Sequence, residues 1–203
     1  MAFRVCVLAL VVCSLPLPGG AQVIADRLLE AEREPNNWLT YSGTYMSQRH
    51  SRLAQITKAN VNRLELKWVF QAQSLQSFEA TPLVVDGVMY LTQPPNDVVA
   101  LAARTGRLFW IYQYKPLATA RPCCGQVNRG LAILGNTLFM VTIDARLVAV
   151  DARDGKPLWR TAVAEPTDGY AMTMAPLVVK DRSSSASRVA NMAFAASSRP
   201  STP

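Results

Sequence analysis

Thr81-Pro82-Leu83-Val84-Val85-Asp86-Gly87-Val88-Met89-Tyr90-Leu91-Thr92 reads as two short strands joined by an Asp-Gly turn, the commonest short signal for a β-hairpin. Val98-Val99-Ala100-Leu101-Ala102 follows as a third strand, and Thr105-Gly106 turns the chain into a fourth, Arg107-Leu108-Phe109-Trp110. The order then returns: Leu131-Ala132-Ile133-Leu134 turns at Gly135-Asn136 into Thr137-Leu138-Phe139-Met140-Val141. Leu147-Val148-Ala149-Val150-Asp151 is the next strand, and after the Asp154-Gly155 turn Pro157-Leu158-Trp159 closes the unit. Gly87 and Gly135 are 48 positions apart and Trp110 and Trp159 are 49 apart, each tryptophan four residues after Gly106 or Gly155.

A four-stranded unit recurring about every 40–50 residues is the signature of a β-propeller blade. The competing reading is an antiparallel sandwich with the tryptophans as ordinary core, but turn, strand order and Trp offset repeat together. Leu66-Lys67-Trp68 reads as the end of an earlier unit, and Ala175-Pro176-Leu177-Val178-Val179 as the start of another. The expected fold is therefore all-β, a partial propeller of about two full blades plus parts of two more. Because each blade buries its faces only against neighbours, this many blades cannot close a ring. Ahead of the repeat, residues 26–34 carry helical character up to Pro35, and Thr57-Lys58-Ala59-Asn60-Val61 reads as a short capped helical turn.

Residues 1–21 read as a secretory signal: Arg4 gives a positive start, residues 5–15 an apolar run, and Pro16-Leu17-Pro18-Gly19-Gly20-Ala21 small residues at a cleavage point. The run is shorter than the roughly 20 apolar residues of a membrane span, so no stable span is expected; a retained N-terminal anchor is the alternative. The net charge of +7 falls to +3 once Arg4, Arg182, Arg188 and Arg199 are set aside. No basic run or helix face remains, which argues against a nucleic-acid partner.

Cleavage of the signal would remove Cys6 and Cys13, leaving the adjacent pair Cys123-Cys124 in an oxidising compartment. Neighbouring Cα atoms sit about 3.8 Å apart, below the roughly 4.4–6.8 Å usual for a disulfide. A bond between them closes a strained eight-membered ring, and strain of that kind marks functional sites. Two buried free thiols or half of a zinc site are the alternatives; zinc is poorly supported with His50 the only histidine.

Four stretches then resemble the N-terminal part of the pyrroloquinoline-quinone-dependent alcohol dehydrogenases, the methanol/ethanol dehydrogenase type of quinoprotein. They are Asn37-Trp38-Leu39-Thr40-Tyr41-Ser42-Gly43, Gln55-Ile56-Thr57-Lys58-Ala59-Asn60-Val61, Cys123-Cys124-Gly125-Gln126-Val127-Asn128-Arg129-Gly130 and Thr173-Met174-Ala175-Pro176. The resemblance covers about residues 25–181. It implies an eight-bladed propeller holding the quinone near its axis beside a calcium or lanthanide ion, and oxidation of a primary alcohol to an aldehyde in the periplasm with a c-type cytochrome as electron acceptor. It also implies that Cys123 and Cys124 form a vicinal disulfide lying flat against the quinone ring. By the same resemblance Arg129 would pair with a cofactor carboxylate, for which a planar guanidinium is suited, Thr173 would add a hydroxyl contact, and Glu79 would meet a polar edge of the quinone. Without the family, Arg129 and Glu79 would be solvated surface charges; the tryptophans, with Met172 and Met174, are expected as core packing and not as cofactor contacts.

The family's metal ligands and general base lie beyond residue 181, so no catalytic and no metal residue is assigned. Residues 182–203 form a Ser/Ala-rich tail without strand alternation. Back-translated with GC-rich codons and read one base earlier, residues 187–195 allow Ala-Gly-Gly-Glu-Tyr-Gly-Ile-Arg, close to the family's metal-ligand segment. The expectation is an out-of-frame tail on a truncated, inactive form; a genuine disordered tail is the alternative. The competing function is a non-enzymatic propeller scaffold of the outer-membrane assembly type.

Overall fold

The structure, a computed structural model, describes residues 22–123 and 125–178. The signal segment, Cys124 and the tail lie outside the described residues. The strands fall where alternation and turn residues put them: β1 (Leu83–Val85), β2 (Val88–Gln93), β3 (Asp97–Ala102) and β4 (Leu108–Tyr112) make one sheet. The second sheet holds β5 (Ala132–Leu134), β6 (Thr137–Val141), β7 (Arg146–Asp151) and β8 (Pro157–Ala162). Both are antiparallel meanders in sequential order, which is blade topology. The chain is a partial propeller.

The register explains why the repeat carries the residues it does. Leu83, Tyr90, Ala100 and Trp110 form one cross-strand row in the first blade, and Ala132, Phe139, Ala149 and Trp159 the same row in the second. The small Ala100 and Ala149 let the aromatic rings of the flanking strands meet across them, with centroids 6.0 Å apart in both blades, a favourable tilted geometry. A register shift follows the alanine each time, at Ala100/Leu101 and Ala149/Val150.

The tryptophans do more than fill a blade's own core. A Cβ placed on Gly106 would lie 2.5 Å from Trp68 Cε3, and one on Gly155 would lie 2.6 Å from Trp110 Cε3. Each half-buried indole therefore lies on the turn glycine of the next unit, and Trp68 Nε1 also donates to the Ala103 carbonyl at 3.2 Å. Trp110 and Trp159 pack against the core as expected, and the glycine contact adds a second role for Trp68 and Trp110 as wedges between units, since a turn without a Cβ lets the ring approach this closely. Residues 66–68 and 175–178 do not form strands, so the flanking part-units are present as irregular segments.

The N-terminal segment crosses both blades. Val23 pairs with Gly135 through two backbone bonds (2.9 and 2.7 Å), and Trp38 pairs with Val84 (2.8 and 3.0 Å). Arg27 binds Glu34 and Asp86, and Asn37 Oδ1 accepts from the Asp86 amide at 2.8 Å in the β1–β2 turn. The helix expected over 26–34 is shorter: α1 (Ala25–Leu29) gives way to a 3-10 turn at Ala31–Arg33. Its N-cap Ile24 offers no side-chain acceptor, and one isolated turn of helix sustains itself poorly. The capped turn at residues 57–61 is present, with the Thr57 amide donating to Asn60 Oδ1 at 2.7 Å.

Candidate functional site

Three segments leading into successive units run side by side. The Thr81 amide donates to the Arg129 carbonyl at 3.0 Å, and the Arg129 amide to the Thr173 carbonyl at 2.9 Å. Gly130 forms a parallel bridge with Thr81. A Cβ there would lie 2.9 Å from the Thr81 carbonyl oxygen at a φ of +137°, so this close approach requires glycine.

That backbone ladder sets the side chains in a row. Arg129 Nη2 lies 2.7 Å from Glu79 Oε2, and Arg129 Nη1 donates to Thr173 Oγ1 at 2.6 Å. One guanidinium thus joins the acidic group of the segment before it to the hydroxyl of the segment after it. Three of the five residues singled out in the sequence, Glu79, Arg129 and Thr173, are brought together across 94 positions of chain. The Arg129 and Glu79 side chains are 38% and 40% exposed. An ion pair so open to water is worth about 0–1 kcal/mol, so either partner can be shared with an incoming group at small cost. The arrangement suits a ligand rich in carboxylates and ring carbonyls: a planar double donor, a hydroxyl and one acceptor lie together on an open face.

Cys123 is an exposed, free cysteine at a turn position, and its sequence neighbour Cys124 is outside the described residues. Arg121 donates to the Ala118 and Ala120 carbonyls at 2.7 and 2.9 Å, folding back the limb ahead of the cysteine. Among the described residues no group of three or more His, Cys, Asp or Glu side chains could hold a metal ion. His50 lines a separate, open pocket with Glu32, Trp38 and Arg52 in the N-terminal segment. Among the described residues no helix is long and apolar enough to cross a membrane.

Two buried polar groups support these segments: Asn128, part of the stretch that carries the resemblance, and Asp144, which the sequence does not single out. Asn128 is 0% exposed; its Nδ2 donates to the Val141 carbonyl at 2.9 Å and its Oδ1 accepts from the Gly130 amide at 3.0 Å. Asp144 is 1% exposed and accepts from Tyr114 Oη, the Leu117 amide and Thr142 Oγ1. Burial, with the nearby Asp144 charge adding to it, pushes the Tyr114 phenol up to about 12. A buried aspartate is rare unless paired, and because its partners Tyr114 and Leu117 lie some 30 positions away, no local sequence signal marks it.

The model of the PQQ glucose/ethanol/alcohol dehydrogenase β-propeller domain matches residues 38–176. A lanthanide-dependent methanol dehydrogenase of Methylacidiphilum fumariolicum is 41% identical over 162 residues, 77% of this chain and 26% of that protein. The quinohemoprotein alcohol dehydrogenase ADH-IIG of Pseudomonas putida is 40% identical over 165 residues, 80% of this chain and 23% of that protein. Among solved structures, a europium-containing methanol dehydrogenase superposes with a TM-score of 0.73 at 40% identity, over 77% of this chain and 28% of that one. The chain spans about a quarter of the length of the curated relatives it matches.

Proposed function

The chain belongs to the PQQ glucose/ethanol/alcohol dehydrogenase β-propeller family, and from that premise we propose that its Glu79–Arg129–Thr173 row binds the acidic edge of pyrroloquinoline quinone. Arg129 supplies two parallel donors to a carboxylate, releasing one from Glu79 as it does so. Thr173 holds the guanidinium in plane and adds its own hydroxyl. Glu79 turns to a polar edge of the ring. Cys123 and Cys124, joined as a vicinal disulfide, form a stiff plate against one face of the quinone. When bound, the quinone supplies the two-electron acceptor for oxidation of a primary alcohol to an aldehyde, while these residues fix its orientation.

At the level of the whole protein the function is periplasmic alcohol oxidation with a calcium or lanthanide ion and a c-type cytochrome taking the electrons. The names of the relatives support the alcohol and the lanthanide; residues 1–21 support the compartment. None of Glu79, Arg129 and Thr173 is proposed as a metal ligand, since a hard cation needs several oxygen donors at one place. For residues 182–203 we propose an out-of-frame origin, which the gene's nucleotide sequence tests by the presence of an open continuation in the other frame.

The observation that carries the proposal is the single guanidinium bonded to both neighbours across three segments. Equilibrium dialysis against the quinone tests it, with calcium or a lanthanide present. The wild-type protein takes up quinone with its absorbance, and Arg129→Ala binds about 100-fold more weakly, as expected for a charge-assisted bidentate contact. Equal uptake by both, or none by either, overturns the proposal.

A further inference from the structure

The loop that carries Cys123 has both ends held by one end of the β6–β7 hairpin, the last residue of β6 and the turn that follows it. At the near end Leu117 donates its amide to Asp144 Oδ2 at 3.0 Å, and Tyr114 Oη lies 3.2 and 3.0 Å from the two carboxylate oxygens. At the far end the buried Asn128 donates to the Val141 carbonyl at 2.9 Å. The turn is itself braced: Thr142 Oγ1 accepts from the Arg146 amide at 3.0 Å, and Asn96 Oδ1 from the first blade accepts from the Ile143 amide at 3.1 Å. Ala145 completes it at a φ of 56°. The first blade adds one more anchor, with the Tyr114 amide donating to Asp97 Oδ1 at 3.0 Å.

We infer that Asp144 is a positioning residue: its buried carboxylate fixes the near end of the cysteine loop and so sets the height and tilt of Cys123 relative to Arg129. A carboxylate taking three donors at once is a strong, directional anchor, and in a site closed to water its loss leaves those donors unsatisfied. Asp144 does this from the second blade for a loop that begins at the end of the first. The link to catalysis rests on the quinone-binding proposal above; the link to loop order does not.

Hydrogen exchange on the full chain, with quinone release as the second readout, tests the inference. In Asp144→Ala the Leu117 amide exchanges about 10- to 100-fold faster, while the amides of β7 keep their wild-type rates. Asp144→Asn, which keeps one acceptor oxygen, restores much of the protection. Should Asp144→Ala fail to fold, Asp144→Asn and Tyr114→Phe report on the same amide. Bound quinone leaves Asp144→Asn about tenfold faster than wild type. A Leu117 amide that does not respond, or β7 amides that accelerate in step with it, overturns the inference, as does quinone leaving every form at one rate. If no form binds quinone, the functional proposal falls and the Leu117 result alone decides the inference.

Discussion

The first and second blades share one cross-strand row and one bulge position, yet their outer strands have different surroundings. In β4 four of the five residues are half-buried, whereas in β8 five of the six are exposed. Trp110 lies against Gly155 of the next unit; Trp159 meets Phe139 of its own blade, with no glycine of a following unit against it among the described residues. The sequence of a blade therefore sets its strands, while burial of its outer edge is set by the neighbour. Two smaller differences sit in the same frame. Tyr90 sends its hydroxyl to the Ala152 carbonyl of the second blade at 3.1 Å, where Phe139 at the equivalent position has nothing to donate. Asp151 pairs with Arg153 at the β7–β8 turn, whereas the first blade has Ala102 there.

Tryptophan substitutions should separate the two blades most strongly. Trp110→Ala removes a docked ring and is expected to cost about 3–5 kcal/mol, while Trp159→Ala should cost about 1 kcal/mol. Urea denaturation followed by circular dichroism measures both. Equal costs would contradict the difference between the two blades.

Alkaline pH probes the Tyr90 bridge. Burial foremost, with the Asp151 and Asp86 charges adding to it, pushes the Tyr90 phenol up to about 12. Its folded state thus resists ionisation that the unfolded chain undergoes near pH 10. Stability contributed by the neutral phenol is intact below that value and is lost as pH rises from about 10 to about 12, by on the order of 2 kcal/mol. Tyr90→Phe should flatten that part of the pH–stability curve; an unchanged slope would remove Tyr90 from the account.

The smallest effect sharpens the turn difference. The Arg153 guanidinium holds the Asp151 carboxyl below its usual range, so the stability it lends is present at neutral pH and disappears as pH falls through that lowered value. Arg104 stands in the first blade where Arg153 stands in the second. Ala102→Asp should therefore build the missing pair and add about 0.5 kcal/mol at pH 7, with the gain shrinking as acid protonates the new carboxyl in parallel thermal melts.

Much of this fold was legible because its signals are local. Asp86-Gly87 with apolar alternation on either side specifies a hairpin within a dozen residues, and the paired Gly-Trp offsets exposed the repeat. What the sequence hid was which glycine each indole meets. Trp110 follows Gly106 by four positions but lies on Gly155, and only tertiary stacking of one unit on the next decides that. Over residues 26–34 the helical pattern does not register the missing side-chain cap at Ile24. Glu79, Arg129 and Thr173 were legible through family resemblance alone; no local rule brings three segments so far apart in sequence to one row. Asp144 stayed hidden for the same reason, its partners Tyr114 and Leu117 lying in the connection between blades.

A double-mutant cycle on quinone affinity tests most directly whether that row acts as one site. Arg129→Ala, Thr173→Ala and the double variant would be titrated with pyrroloquinoline quinone, following tryptophan fluorescence. Residues bonded to each other and to one carboxylate should show non-additive losses, with a coupling of about 1 kcal/mol or more. Additive losses, or no loss in either single variant, would contradict the account.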